Sequence, residues 1–600
     1  MTSPVDSNPS SLEVVLARAR AAAGGAACDR IRTLHMTGTI HAGGLGGPSV
    51  QRVDRINLRA LREFTLGPAA YATGFDGTHA WRRGPNGDVT LQDAEAGLRA
   101  TVTQAWLDAS GWWSSTAGGA RLESLGTREL DGRRFDVVQA LPAGGEPAQL
   151  WFDATTHLLA RVQQRVMGRE MVTRLDDHRE VEGAWLPFRA ITGSGDARFD
   201  RVDVVEHIAV NAPIDAHDLA PPASVEGDLH FIDGRERAVV DVAVIQNTIV
   251  VPVTIAGQAL RFVLDSGGLT LLTAATAARL GLPVEGRLEA GGAGGHSAAA
   301  GFVRVPQLAV GAAVVLERPL LRVLAMPEAS DVLGVPVDGI LGAELLRRLV
   351  VRIDYEAQRL ELLAPATEPQ PDWGERLPLA FFAHIPCVAA TLDDQPAQFW
   401  LDTGNSGAVL LHAQAGVTPA HDATAVTTIG WGIGGAIRGR LARARSLRLG
   451  GIALAAPALR VLEDGERALA TPGLAGNIGG AVLSRFLVTF DYARRTAWLA
   501  PNARIGAPFP VDRSGLRIHA HRAGFEVMAV MAGSPAEAAG LHVGDVIVDV
   551  DGTPAKSIPL HVQRRAWQEA APGTRVRVGV TRAGVAREAG LELRDLVPAH

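Results

Sequence analysis

The sequence predicts a mainly β, multidomain protein, and three observations carry the prediction. The stretch at residues 251–267, VPVTIAGQALRFVLDSG, recurs 137 positions later in ungapped register as VAATLDDQPAQFWLDTG. Each copy is two apolar runs joined by a polar turn and closed by Asp-Ser/Thr-Gly, the pattern of a β-hairpin that delivers a carboxylate into a tight turn. The composition sets 67 Gly and 34 Pro against an aromatic content of 5%, which favours turn-rich β architecture over long helices. Residues 32–222 show short alternating runs separated by Gly, Asn and Asp turns, the signature of an antiparallel meander. A chain of 600 residues exceeds one core, and at roughly 100–200 residues per domain it holds about three to five.

Charge and cysteine content exclude several classes of function. A net charge of −6 over this length gives no footprint for nucleic acid or an anionic membrane. Nearly all basic residues are Arg, Lys556 being the only lysine, which reads as genome bias. Cys28 and Cys387 fall in different predicted domains, so neither a disulfide framework nor a cysteine zinc site is expected. Every apolar run falls short of the length a membrane-crossing helix needs, so no transmembrane helix is expected. The first residues, MTSPVDSNPSS, lack the charged and apolar regions of a secretory signal.

In chain order, LEVVLARARAAAGG at residues 12–25 reads as an amphipathic helix closed by glycines. RRFDVVQAL, AQLWFDATTHLLARVQQRV and REMVTRLDDHREVEGAWLPFRAITG then read as antiparallel strands. With the closing VNAPIDAHDLAPP, these features resemble the lipoprotein-carrier-like domains of bacterial envelope proteins, which implies a curved antiparallel sheet wrapped around a helix over residues 1–225. Trp112 and Trp113 are candidates for an apolar groove, the plainer reading being core or rim aromatics. A polar linker near residues 220–236 precedes two lobes, 237–365 and 376–501. The 137 offset persists downstream, where GILGAELLRRLVVRIDY from Gly339 faces GNIGGAVLSRFLVTFDY from Gly476, so the lobes share a length and duplication explains them. In residues 502–600, GFEVMAVMAGSPAEAAGLHVGDVIVDVDG resembles a PDZ domain of the bacterial type. That resemblance implies strand addition of a peptide C-terminus, with Gly524, Phe525 and Val527 as candidate binding residues.

Asp-Thr/Ser-Gly is a weak motif by itself, and context decides its meaning. Each copy follows an apolar strand and precedes a glycine-rich segment, at positions 291–302 in the first case and 430–439 in the second. Each segment is followed in turn by an apolar-Gly turn into a short helix, at Ile340-Leu341-Gly342 and at Asn477-Ile478-Gly479. This order, present twice in register, resembles the retropepsin-like aspartic proteases. The resemblance implies duplicated acid-protease β-barrel lobes, with Asp265 and Asp402 as the catalytic pair and Ser266, Gly267, Thr403 and Gly404 in support. Two adjacent carboxylates cannot both ionise, so the pair shares a proton: one Asp activates water while the other polarises the scissile carbonyl. The glycine-rich hairpins become flaps, with Gly294, Gly295, His296, Gly430, Trp431 and Gly432 as candidates. Gly268, where a small non-Gly residue usually stands, leaves the first turn looser, and Asn477 puts a polar residue in the second apolar-Gly turn.

No HExxH, clustered Cys/His, G-x-S-x-G or nucleotide-binding glycine loop occurs, so no metal or cofactor is expected. The leading expectation is an aspartic-type endopeptidase acting on polypeptides, a monomer whose lobes form an intramolecular pseudo-dimer, with the PDZ-like unit recruiting peptide. The alternative is a catalytically weak envelope binding protein that grips peptides or an apolar ligand. The resemblances imply a periplasmic or other extracytoplasmic setting, while the polar N-terminus points to the cytoplasm.

Overall fold

The computed structural model describes residues 11–114, 116–166, 169–225, 227–292, 297–412, 424–463 and 473–597. The chain divides into two compact units: Met1–Val225 with Glu285–Glu289 and Phe381–Ala383, and the remainder. Both are built mainly of strands, as the turn-rich composition predicts.

The first unit is organised by one antiparallel sheet of 13 strands. The chain lays strands outward from Thr33–Ala42 to Val89–Leu91, passes through the helix Glu95–Asp108, and returns from Arg121–Leu130 to Arg201–Val210, which pairs with Thr33–Ala42. The pairing shifts register at Thr37/Gly38, where any Cβ on Gly38 would stand 2.0 Å from Val204 O. The helix Leu12–Ala22 is capped by Ser11, whose Oγ accepts from Val14 N, and buries Val15 and Ala19 with Trp106, Val138, Leu150 and Phe152. Trp113 is buried among Cys28, Ile31 and Leu186, while Trp112 packs edge-on against Phe152. Both tryptophans therefore serve the core of this unit, the plainer of the two readings.

The second unit contains both lobes and the C-terminal region. In the first lobe Thr248–Ile255 and β1 (Gln258–Leu264) form the hairpin read from the sequence. Helix α1 (Ala329–Leu333) follows, and then β2 (Gly339–Leu341), which runs parallel to β1 with Leu264 opposite Leu341. In the second lobe Ile385–Leu392 and β3 (Gln395–Asp402) repeat the hairpin. Strands β4 (Thr427–Gly432), β5 (Gly435–Arg443) and β6 (Ala458–Leu462) follow, and β7 (Gly476–Gly479) runs parallel to β3 with Asp402 opposite Gly479. The glycines that open β2 and β7 allow this threading: a Cβ on Gly339 would meet Leu271 O at 2.3 Å, and one on Gly476 would meet Leu410 O at 1.9 Å.

A six-stranded sheet joins the lobes through the antiparallel pairing of Val350–Asp354 with Phe486–Asp491. At its centre Arg352 lies opposite Thr489, its own counterpart in the repeat, so the local two-fold axis passes between them. The C-terminal sheet contains β8 (Leu516–His521), β9 (Gly524–Val530) and β10 (Val546–Val550) in that spatial order, followed by Arg575–Arg582 and Val585–Glu592. Helix α2 (Leu560–Glu569) contributes Leu560 and Trp567 to a core with Ile518, Phe525, Val527, Ile547 and Val578.

Candidate active site

Asp265 follows directly on β1 and Asp402 closes β3, so each parallel strand pair ends in an Asp turn. The two turns lock together across the lobe boundary. Ser266 N donates to Thr403 Oγ1 (2.9 Å) and Thr403 N donates to Ser266 Oγ (3.0 Å). The hydroxyls donate onward, Ser266 Oγ to Leu401 O (2.8 Å) and Thr403 Oγ1 to Leu264 O (2.9 Å). Ser266 and Thr403 are both 0% exposed, so each bond satisfies a group that water cannot reach. The carboxylates are thereby held side by side, in residues that remain partly exposed.

Glycine is required on both sides of this pair. A Cβ on Gly404 would stand 2.5 Å from Asp265 Cγ, and one on Gly267 would stand 3.0 Å from Asp402 Cγ. A Cβ on Gly268 would lie 2.7 Å from Asp265 Oδ2, which corrects the expectation of a loose turn: the second glycine lets the backbone close around the carboxylate. Gly267 N donates to Asp265 Oδ1 (2.8 Å), and Gly404 N to Asp402 Oδ1 (2.9 Å).

Beyond these shared features the two carboxylates have different surroundings. Asp402 Oδ1 also accepts from Asn405 N (3.2 Å), and Asp402 Oδ2 accepts from Asn477 Nδ2 (2.8 Å). Asn405 Nδ2 donates to Asn477 Oδ1 (2.5 Å), which orients that amide. The counterpart of Asn477 in the first lobe is Ile340, which has no side-chain donor. Asn477 is thus a ligand of the carboxylate and no packing defect, correcting the reading of it as a departure. Burial, with the Asp402 charge beside it, pushes Asp265 well above the usual carboxylate range. Burial also raises Asp402, but the bond from Asp265 and the Asn405 and Gly404 backbone N–H groups act to lower it. The arrangement therefore favours the shared proton on Asp265 and the negative charge on Asp402.

Two cross-lobe contacts carry no sequence motif. His384 Nε2 lies 3.1 Å from Gly267 O, and Asn247, its counterpart in the first lobe, donates from Nδ2 to Ser406 O (3.3 Å). Their equivalent places in the repeat were the available signal.

Of the flap candidates, Gly430, Trp431 and Gly432 lie on β4, which pairs with β5 as a hairpin; Gly294, Gly295 and His296 lie outside the described residues. The tip residue Ile433 packs with Leu271, Ala300, Leu324 and Ile340 of the first lobe. This hairpin is also held from the C-terminal region: the Trp431 ring meets the His519 ring at 4.3 Å, and Arg517 Nε donates to Thr428 O (3.3 Å). Arg564 Nη1 donates to Gln246 Oε1 and Val332 O, both at 2.8 Å, and its Nη2 donates to Ile518 O.

The candidate peptide-binding residues of the C-terminal region are placed differently from expectation. Phe525 (2% exposed) and Val527 (0%) are core residues, and a Cβ on Gly524 would meet Ile547 O at 2.1 Å. Strand β9 lies between β8 and β10, so it has no open edge to accept a peptide. The edge strand is β8, against which α1 packs, with Gly334 next to Leu560 of α2.

Comparison with known proteins follows the same division. Residues 251–345 match the aspartyl protease family model, and residues 526–582 match the PDZ domain model. A search of the curated proteins returned no match. Among solved structures, a retropepsin-like aspartic protease from Rickettsia conorii is 17% identical, with 22% of this chain and 92% of that chain covered and a TM-score of 0.17. A putative outer membrane lipoprotein-sorting protein domain from Vibrio parahaemolyticus is 11% identical (35% and 95% covered, TM-score 0.25). A LolA superfamily protein from Nitrosomonas europaea is 13% identical (35% and 98% covered, TM-score 0.26). Residues 251–345 are thus similar to the aspartyl protease family and are repeated in the second lobe at the 137 offset, and residues 526–582 are similar to a PDZ domain.

Proposed function

We propose that the two lobes form one active site that hydrolyses peptide bonds of polypeptide substrates. The observation that carries this reading is the pair of reciprocal Ser266 and Thr403 bonds that brings the Asp265 and Asp402 carboxylates side by side. Asp402, as the anion, takes a proton from a water that attacks the scissile carbonyl carbon, while Asp265 donates its proton to the carbonyl oxygen. Collapse of the tetrahedral intermediate breaks the C–N bond as the amine takes the proton held by Asp402, and the diol returns one to Asp265. The flap hairpin β4–β5 excludes bulk water, and Leu271, Ile340 and Ile433 supply an apolar wall for substrate side chains.

Within this reading, residues 1–225, 237–365, 376–501 and 502–600 act as a carrier-like domain, two protease lobes and a PDZ domain. The PDZ domain braces the flap through Trp431 and Thr428; recruitment of a peptide at β8 requires α1 to yield its place. The carrier-like sequence features favour an extracytoplasmic setting. The test is cleavage of an unfolded protein by Asp265→Asn and Asp402→Asn variants that retain the parent circular dichroism spectrum. Each is expected to lose turnover; turnover persisting in both removes the dyad assignment.

A further inference from the structure

Arg460 lies on β6 opposite Leu410, which lies opposite Asn477; the same register in the first lobe, Ile340 opposite Leu271 and Leu271 opposite Arg322, makes Arg322 its counterpart, so both lobes carry an arginine at this place. The Arg460 guanidinium sits between two parts of the cleft. A Cβ on Gly407, in the turn that follows Asp402, would stand 3.0 Å from Arg460 Cζ, and a Cβ on Gly430 of the flap would stand 3.8 Å from its Nη1. The side chain is only half-buried, and among the described residues its guanidinium makes no hydrogen bond or ion pair.

Two further guanidiniums lie near it, Arg517 and Arg564 of the PDZ domain. Both bind neutral oxygens: Arg517 binds Thr428 O, and Arg564 binds Gln246 Oε1, Val332 O and Ile518 O. The carboxylate within electrostatic reach of Arg517 and Arg564 is Asp512, whose Oδ1 already accepts from Ser514 Oγ (2.6 Å), Ser514 N (2.9 Å) and Gly515 N (3.0 Å). Burial and these two neighbours hold the Arg460 guanidinium down at about 9. Three like charges in a partly desolvated space repel one another, and Arg517 and Arg564 are explained by docking the PDZ domain onto the lobes. Arg460 is not: it is a charge placed beside the cleft with no partner of its own among the described residues.

We propose that Arg460, in the field of Arg517 and Arg564, is a binding residue for a carboxylate of the polypeptide substrate. Resting on the protease reading of the cleft, this proposal deepens it by naming an acidic specificity in the second lobe. The planar guanidinium matches a carboxylate with two parallel N–H donors, and closure of the flap over Gly430 shields that contact from water. The carboxylate comes either from an Asp or Glu side chain or from a free C-terminus.

The test uses the full chain carrying Asp265→Asn, so that probes are bound without turnover. The probes are apolar decapeptides with one Glu walked through each position, each paired with its Gln counterpart and each made with a free and an amidated C-terminus. Binding is read by competition against a fluorescein-labelled member in fluorescence anisotropy. Glu at one position, or two adjacent ones, is expected to tighten binding roughly tenfold or more over Gln. Adding Arg460→Gln erases that gain without weakening the Gln peptide, and Arg460→Lys restores part of it. A gain that follows the free C-terminus and vanishes on amidation identifies the chain end as the source. Equal binding of all acid and amide peptides, or discrimination that survives Arg460→Gln, overturns the proposal. Its failure is separable from that of the protease reading: a wild-type chain that cuts peptides without acid preference loses only the specificity, and one that binds acid through Arg460 yet cuts nothing loses only the protease.

Discussion

Replacing Asn477 by Ile makes the second lobe copy Ile340 of the first and removes the one side-chain amide that reaches the dyad among the described residues. The lost contact is a 2.8 Å hydrogen bond to Asp402 Oδ2, the carboxylate to which the proposed mechanism gives the negative charge. Bonds of this charged type are worth about 1.5–3 kcal/mol, which corresponds to roughly a 10- to 100-fold increase in proton affinity when the anion loses its donor. The sign follows from which form is stabilised. The competent enzyme holds one proton, so its acid limb marks protonation of Asp402; removing a donor to the anion raises that ionisation and moves the limb to higher pH. The assay is kcat/KM for an unfolded substrate across the acid range, with circular dichroism confirming the fold. A displacement upward by about one pH unit or more is expected. An acid limb that stays in place in a folded Asn477→Ile variant would refute the assignment of the charge to Asp402.

Three further outcomes follow from the same geometry. Both dyad carboxyls are raised by burial, so their contribution to stability is present below the unfolded carboxylate pKa and is lost as pH rises through the folded one. Asp265→Asn is therefore expected to gain on wild type in calorimetry as pH is raised from 4 to 7, by on the order of 1 kcal/mol; a difference that is constant with pH contradicts this. Gly268→Ala drives a Cβ to 2.7 Å from Asp265 Oδ2 and should lower kcat roughly a hundredfold, as expected for a misplaced reacting group; near wild-type kcat would show the turn to be compliant. Thr403→Val orphans the buried Ser266 N–H and Leu264 carbonyl, with an expected loss of about 2–4 kcal/mol in urea denaturation; a loss below about 0.5 kcal/mol, typical of a surface change, would mean that the lock is dispensable.

The constant offset between the lobes made the paired geometry legible from sequence: it aligns Ser266 with Thr403 and Asn247 with His384 by position alone. What it left hidden depends on contacts made in three dimensions. Asn477 reads as a polar flaw in an apolar strand until β7 is laid parallel to β3 and its amide meets the carboxylate. Gly268 reads as slack until the carboxylate it admits is in place. Phe525 and Val527 illustrate a different limit. Local alternation identifies a strand, but sheet order decides whether it has an open edge, and β9 lies inside the sheet. The contact between the β4–β5 hairpin and the C-terminal region joins residues as distant as Trp431 and His519, which no local pattern connects.

The axis between Arg352 and Thr489 bears on how the proposed active site can vary. A dimer of identical subunits must install every substitution twice, so an amide given to one carboxylate is given to both, and proton sharing stays even-handed. With the halves fused in one chain, Asn477 faces Ile340 and is installed once. Under the proposed mechanism, division of labour between acid and base is then heritable in the sequence itself.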